Sequence, residues 1–288
     1  MTKETPMFYL FLAILCSSSI ALIFKFSETN NMNRFLVTTM NYLIAFSTSL
    51  AIAFATGVEW SDQVFSLLLG MVAGVFFFLS FFLYQKSVKD SGASLSGAFG
   101  KMGILIPMIL SIIIWKEFPN FIQWFGIALA LLSIILVNLP RKSERKSFHI
   151  DLIFLFIFGG MAEFFNKIFQ KYATGANDKN IFLFAVFFSA FLISLFFTVL
   201  NRRKKKIMKR DFLVGALVGV PNLFSSFFLI SSLDYVKTAV AFPVYSAGSI
   251  TLITAGSWII FRERLKKREK VAIFITIFAL ILVNLEFK

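Results

Sequence analysis

The sequence predicts an all-α integral membrane protein of ten transmembrane helices, arranged as two inverted five-helix repeats. Three observations support this prediction: 58% of the 288 residues are hydrophobic and only 15% are charged, ten apolar runs are long enough to cross a bilayer, and short motifs recur at a fixed spacing. A soluble domain carries about 25% charged residues because its surface must be polar. Lipid is therefore the expected solvent for many of these apolar side chains.

Each helix is predicted from an apolar run of about 20 residues, the length that crosses ~30 Å of hydrocarbon. None of the runs alternates as the strands of a β-barrel would. Polar or helix-breaking clusters mark the ends, such as Glu28-Thr29-Asn30-Asn31 and Pro119-Asn120. In chain order the runs lie near 7–25, 35–57, 64–86, 92–115, 120–139, 150–172, 180–200, 212–235, 238–260 and 271–287.

The first run, from Met7 to Phe24, could be a secretory signal peptide, but we expect a retained helix. Lys3 is the one basic residue before it, and Leu15 stands where a lipoprotein signal has a small residue before its cysteine. Cys16 is the single cysteine of the chain. Neither an intramolecular disulfide nor a cysteine-based metal cluster is therefore expected.

The loops after the odd-numbered helices hold most of the positive charge, 21 of the 29 Lys and Arg residues. Short loops rich in Lys and Arg stay in the cytoplasm. We therefore expect a plasma-membrane protein with the odd-numbered loops inside and both termini outside. A net charge of +14 could also suit nucleic acid or anionic lipid heads. Its distribution over short loops favours topology, so no nucleic-acid partner is expected, while a further role at lipid heads stays open.

Short motifs recur at a spacing of 146 residues. Ser80-Phe81-Phe82-Leu83 returns as Ser226-Phe227-Phe228-Leu229, and Leu136-Val137-Asn138-Leu139 returns as Leu282-Val283-Asn284-Leu285. In the same register Glu117 falls on Glu263, and Lys25 falls on Lys171.

This register divides the chain into a first five-helix repeat at 1–140, a polybasic linker at 141–149 and a second repeat at 150–288. Five is an odd number, so the second repeat enters the membrane upside down. Inverted repeats are typical of secondary transporters, in which the substrate site lies near the midplane between the halves.

A Gly-x-x-x-Gly pattern occurs once in each half, as Gly70/Gly74 on the third helix and Gly215/Gly219 on the eighth. Small residues let helix backbones approach closely, so these helices are candidate packing seams. Glycines that merely face lipid are the alternative reading.

On these features the chain resembles the drug/metabolite transporter superfamily, and within it the EamA-type transporters, over its whole length. The similarity rests on two five-helix halves, on the acidic residue that closes the fourth and ninth helices, and on a fifth helix rich in small residues after Gly126. The acidic motifs are Trp115-Lys116-Glu117 and Phe261-Arg262-Glu263, and both lack the Gly that often precedes this Glu in the family. The resemblance implies a central cavity and alternating access. It implies no particular substrate, because members export amino acids, drugs, nucleotide-linked sugars and other metabolites.

Three charged residues lie well inside a predicted span: Lys101, Glu163 and Lys167. A charge in the bilayer costs at least ~2.5–3.5 kcal/mol, so each needs a partner or a function. From the helix rise, Lys101 lies ~15 Å deep and Glu163 ~20 Å deep. In the structural interpretation Glu163 pairs with Lys167 four residues later, or with Lys101 across helices. In the functional one Glu163 binds a proton or a cationic group and Lys101 meets an anionic group, which suits a zwitterion.

Further polar residues reach a similar depth and complete the predicted substrate site. A serine on a membrane helix usually bonds its own backbone, so the serines are the weaker candidates. Helix-interior prolines at 107, 221 and 243 free carbonyls that a cavity could use. The predicted substrate-binding residues are Lys101, Glu163, Asn166, Asn222, Tyr245, Ser249 and Ser18, with Glu163 also the predicted proton-coupling residue.

No enzyme motif is convincing. Gly92-Ala93-Ser94-Leu95-Ser96-Gly97 has no intramembrane histidine or second acid to activate a serine, and His149 is the only histidine. Walker, Rossmann and metal-ligand patterns are absent from the sequence, so no enzyme activity, cofactor or metal is expected. The leading hypothesis is a secondary transporter, as an exporter, of a small polar metabolite. Hydrophobic-cation efflux and lipid-head-group flipping are the alternatives. A monomer would suffice.

Overall fold

The computed structural model describes residues 5–91, 99–138, 150–174, 178–201, 208–262 and 267–284. All regular secondary structure in this part of the chain is helical. The polybasic linker, the Gly92–Gly97 segment, His149 and Glu263 lie outside the described residues. The longer helices among these described residues are α1 (Thr5–Thr29), α2 (Arg34–Ala55), α3 (Val64–Ser91), α4 (Leu105–Trp115), α5 (Phe121–Asn138), α6 (Ile150–Tyr172), α7 (Lys179–Asn201), α8 (Lys209–Leu233), α9 (Thr238–Phe261) and α10 (Lys267–Asn284).

Seven of these helices, α1 to α3 and α6 to α9, are long and apolar enough to cross a membrane. The apolar parts of the other three are shorter, at Phe99–Trp115, Phe121–Leu136 and Lys270–Ala279 among the described residues. Ten full-length spans were expected, and by length and composition seven of the described helices qualify. Large apolar side chains face outward on several of them, including Phe274 (73% exposed) and Ile259 (68%). Such a surface suits lipid contact.

The fourth predicted span is not one continuous helix. A turn at Gly103–Ile104 interrupts the segment from Phe99 to Trp115. Pro107 explains the break, because it has no N–H to donate to the Gly103 carbonyl and its ring crowds that carbonyl. The Gly103 oxygen instead accepts a bond from the Ile106 N–H at 3.0 Å. Periodicity alone could not show this interruption.

Local polar signals set several helix ends. Asn120 and Gln123 form a reciprocal cap on α5, each side chain accepting from the other's backbone N–H at 2.8 and 3.0 Å. Asp178 caps α7 by accepting from the Asn180 N–H at 2.7 Å. Lys116 and Arg262, which are 146 residues apart, end α4 and α9 in the left-handed conformation, with φ of 54° and 52°. Their N–H groups bond the carbonyls of Ser111 and Ser257, again 146 apart.

Helix contacts follow the two-repeat layout. In the 146-residue register α1 to α5 correspond, in order, to α6 to α10. If each helix is replaced by its counterpart, the contact α1–α8 becomes α6–α3, α2–α8 becomes α7–α3, and α1–α9 becomes α6–α4. All of these pairs are in contact, and α2–α7, α4–α9 and α5–α10 map onto themselves. The halves therefore interlock rather than pack as separate bundles. One buried apolar cluster joins α1, α4, α5, α8, α9 and α10, and a second joins α2, α3, α6, α7 and α8.

The two Gly-x-x-x-Gly patterns lie at the equivalent seams α3–α7 and α8–α2. A Cβ at Gly74 would collide with Ser189 and the Val186 carbonyl. A Cβ at Gly219 would come within 2.7 Å of the Asn41 carbonyl. The prediction of packing seams is confirmed, and the lipid-facing interpretation of these glycines is wrong.

Candidate functional site

Lys101 lies in the short helical segment before α4, ahead of the turn at Gly103–Ile104, against α6 and α9. Its backbone carbonyl accepts a hydrogen bond from Ser246 Oγ of α9 at 3.4 Å. Gly103, two residues later, approaches Gly160 of α6 so closely that a Cβ at Gly160 would collide with the Gly103 oxygen. This contact brings the Lys101 segment beside the helix that carries Glu163.

Glu163 projects from α6 and is half-buried. Its Oε2 accepts a hydrogen bond from Asn166 Nδ2 at 2.9 Å, and it attracts the Lys101 charge through space. The two charged groups do not approach within the 4.0 Å of an ion pair. The structural interpretation in which Lys101 and Glu163 form a fixed pair is therefore wrong for this conformation.

Tyr245 of α9 stands beside Glu163 and is only 8% exposed. Its hydroxyl shares a hydrogen bond of 2.9 Å with Ser225 Oγ of α8, and it also bonds Ser17 of α1. These contacts bring residues of α1, α6, α8 and α9 to one point in the protein interior.

Asn222 lies one turn before Ser225 on α8, on the same helix face. Its Nδ2 donates to Asn41 Oδ1 of α2 at 3.0 Å. Asn41 is 2% exposed and was not among the predicted site residues. The sequence feature that could have identified Asn41 is its amide side chain within the second apolar run. The described polar residues thus form a path from α2 through α8 and α9 to Glu163.

Ser18 and Ser249 meet where α1 packs on α9. Ser18 Oγ bonds the Ile14 carbonyl at 2.6 Å and the Ser249 carbonyl at 3.3 Å, so its hydroxyl serves backbone groups. Ser249 Oγ and Asn166 Oδ1 are buried and have no hydrogen-bond partner among the described residues. Buried polar atoms normally have a partner, so these two are candidate ligand contacts.

Lys167 does not pair with Glu163 here, which corrects the structural interpretation of these two residues. Its Nζ lies 2.7 Å from Glu117 Oε1 and 2.8 Å from Gln170 Oε1. The ammonium also lies 5.4 Å from the centre of the Trp115 ring. Sequence proximity favoured Glu163, but the turn after α4 brings a second carboxylate to the same lysine.

These groups belong to a network at one end of the bundle, which we call the ionic network: Glu117, Lys167, Gln170, Asp234 and Lys179. Gln170 Nε2 donates to Asp234 at 3.2 Å, and Asp234 lies 3.5 Å from Lys179. Glu117 Oε2 also accepts from the Thr238 N–H at the start of α9, at 2.9 Å. The network therefore ties the turn after α4, in the first half, to three helices of the second half.

The pKa of Glu117 lies below its ordinary value. Burial raises the pKa of this carboxyl, but the hydrogen bonds from Lys167 and Thr238 and the Lys167 charge lower it by more. In the sequence Glu117 was noted as a repeat marker and as the acidic residue that closes the fourth helix, but not as a site residue. Its place at the end of an apolar run gave no sign of a buried lysine partner.

The described part of the chain holds no group of three or more His, Cys, Asp or Glu side chains arranged for a metal ion. The site is instead a set of opposite charges and neutral polar groups. Such a set can bind a ligand that carries both a cationic and an anionic group.

A family model described as the EamA-like transporter family matches the chain twice, over residues 5–139 and 151–285. An uncharacterized protein of Haemophilus influenzae is 22% identical over 280 residues, which cover 94% of this chain and 95% of that protein. A solved structure, described only as the crystal structure of a protein, aligns with a TM-score of 0.78 at 14% identity and covers 98% of this chain and 97% of that one. At this identity the solved structure shows likeness of fold alone.

Proposed function

Because the chain belongs to the EamA-like transporter family, we propose that it is a secondary active transporter or exchanger that exports a small polar metabolite. Amino-acid-like zwitterions are the favoured substrates. Transport occurs by alternating access to a central site that contains Lys101, Glu163, Asn166, Asn222, Tyr245, Ser249 and Ser18.

One observation carries this proposal. Lys101 and Glu163 lie on different helices, attract each other, and remain outside ion-pair distance. Two opposite charges held apart in a low-dielectric interior are costly unless a ligand or proton joins them. A zwitterion offers a carboxylate to Lys101 and an ammonium to Glu163. Without substrate, a proton on Glu163 would remove one of the charges.

The proposed architecture is two inverted repeats of five spans, divided as 1–140 and 150–288 by the polybasic linker. The exchange of helix contacts between the halves supports it. In the proposed orientation the odd-numbered loops are cytoplasmic and both termini lie outside the plasma membrane, which the excess of Lys and Arg in those loops supports.

Purified protein in proteoliposomes tests the function directly. Counterflow of radiolabelled neutral amino acids should be protein-dependent and should exceed counterflow of quaternary amines and nucleosides. Transport of quaternary amines alone would favour a hydrophobic-cation carrier. Movement of a fluorescent phospholipid, with none of the soluble probes transported, would favour a flippase. Either result would contradict the proposed substrate class.

A further inference from the structure

Lys167 lies between two carboxylates, only one of which it contacts. Its Nζ bonds Glu117 at 2.7 Å, while Glu163, four residues earlier on the same helix, bonds Asn166. Residues four apart on a helix are neighbours on one face, and the order Glu then Lys is the favourable one. A change of side-chain conformation would therefore bring Lys167 to Glu163 without movement of α6.

The Lys167 ammonium must keep an anionic partner. The side chain is 2% exposed, and an unpaired charge at such a site is costly. Opening of this end of the bundle would require the turn after α4 to leave α6 and α9. That movement breaks the bond of Glu117 to Lys167, its bond to the Thr238 N–H, and the bond of Lys237 Nζ to the Phe118 carbonyl at 3.0 Å.

We propose that Lys167 is a shared counter-ion that moves from Glu117 to Glu163 when this end of the bundle opens. The proposal rests on the proposed transport function, and it links opening to substrate release. In the closed state Glu163 is available to the substrate's cationic group. In the open state Lys167 competes for the same carboxylate, which weakens substrate binding on the side that has just opened.

The Glu163–Lys167 pair is not repeated in the first half. In the 146-residue register Glu163 corresponds to Ser17 and Lys167 to Ala21. The halves therefore differ chemically at these two positions despite their similar fold. Charge competition lowers the substrate affinity of the state in which this end is open, which suits release to the outside if that end faces outward.

The native Cys16 provides a reporter of this opening. It lies beside Ser17 in sequence, and it interacts electrostatically with Tyr245 of the central site. The experiment measures the rate at which a membrane-impermeant, cationic methanethiosulfonate modifies Cys16. The reagent is added to right-side-out and, separately, to inside-out vesicles. No substrate is required, so the result does not depend on which molecule is transported.

The two carboxylates should have opposite effects. Glu117→Gln favours the open state and should raise the modification rate from the ionic-network side by about tenfold, the scale of one charge-assisted hydrogen bond. Glu163→Gln removes the open-state partner and should lower that rate by a similar factor. In a Lys167→Met background neither acid substitution should change the rate by more than about twofold. Lys167→Arg should preserve both effects.

Trp60→Cys in a Cys16→Ala background is the matched control. Trp60 is 41% exposed in the turn between α2 and α3, so its modification should not respond to any of these changes. If Glu163→Gln fails to insert, Glu163→Asp replaces it with the same expected sign, because the shorter side chain retracts the carboxylate. An unchanged or raised modification rate for the Glu163 variant would contradict the move of Lys167 to Glu163 and leave Glu117–Lys167 as a static pair. Effects of the Glu117 or Glu163 substitution that persist in the Lys167→Met background would contradict it in the same way. A failure of amino-acid counterflow with the expected labelling would contradict only the substrate class.

Discussion

At the scale of single residues, the two carboxylates nearest Lys167 in the proposal, Glu117 and Glu163, differ in their hydrogen bonds and charged partners. Glu117 is bonded by Lys167 and by the Thr238 N–H, and both bonds favour its charged form. Glu163 has one amide donor and a distant lysine. Glu117 is thus held in an ion pair, while Glu163 is the carboxylate that changes partners in the proposal.

Glu163→Gln should leave the protein folded and inserted but reduce substrate-coupled or pH-dependent transport by about tenfold or more, the scale of one lost charged interaction. The amide keeps the size and the hydrogen-bonding of the carboxyl but cannot take up a proton. The measurement is counterflow of neutral amino acids in proteoliposomes. Glu59→Gln, in an exposed turn, is the matched control and should transport normally. Normal transport by a well-folded Glu163→Gln protein would end the proposed role of this carboxylate.

Lys101→Met should weaken binding of anionic and zwitterionic substrates more than binding of cationic ones. The Lys101 ammonium is the positive group of the proposed site, so its loss removes an attraction felt only by anionic groups. Competition by amino acids and by their amide or ester derivatives, which lack the carboxylate, measures the difference. Equal loss for both classes would show that Lys101 has a general structural role.

Glu117 should stabilise the protein in a pH-dependent way. Because its pKa in the folded protein is lowered, its charged form stabilises the fold at neutral pH, and this contribution is lost as pH falls through that lowered pKa. Thermal unfolding in detergent should therefore show wild type more stable than Glu117→Gln at neutral pH, with the difference shrinking in acid. A difference that is constant with pH would contradict this account.

The sequence identified the deep charges but not all of their partners. Glu163 and Asn166 share a helix face, as their spacing predicted. Glu117 and Lys167 are 50 residues apart, and only the fold brings them together. Asn41 and Ser225 were missed because a single polar residue in an apolar run does not show which way it faces. The proposed substrate roles of the site residues stay predictions.

At the scale of helices, close backbone approach organises the bundle. The seams α3–α7 and α8–α2 each use two glycines four residues apart, and the hydrophobic runs with their small residues were sufficient to predict them. The break before α4 was not predicted, because an interior proline does not by itself distinguish a broken helix from a continuous one: Pro221 and Pro243 lie inside unbroken helices. That break places Lys101 next to α6 and is therefore the element-scale feature that forms the site.

Gly74→Ala and Gly219→Ala should each destabilise the protein by about 1–3 kcal/mol, the usual cost of overpacking. An added methyl would meet backbone or buried side chains that cannot retreat. Gly100→Ala is the matched control, since its nearest neighbour would be 3.7 Å away in ordinary contact. Thermal stability of the detergent-solubilised variants is the measurement. Equal stability of all three variants would show that the seams tolerate separation.

At the scale of the whole molecule, the two-repeat layout and the uneven charge of the loops give different information. The 146-residue register and the exchanged helix contacts describe how the halves fit together. They do not say which end faces the cytoplasm. That assignment depends on loop charges, most of which lie outside the described residues, and it therefore needs an independent test.

Substituted-cysteine labelling from outside intact cells, in a Cys16→Ala background, tests the orientation. Trp60 lies in the exposed turn between α2 and α3, which carries no Lys or Arg, so Trp60→Cys should be labelled by an impermeant maleimide. Lys204 lies in the most basic loop, and short loops rich in Lys and Arg stay in the cytoplasm. Lys204→Cys should therefore be unlabelled until the cells are permeabilised. Labelling of both positions after permeabilisation is the control for reactivity. The reverse pattern would overturn the orientation and place the ionic network on the cytoplasmic side, where the same charge competition would favour release inward.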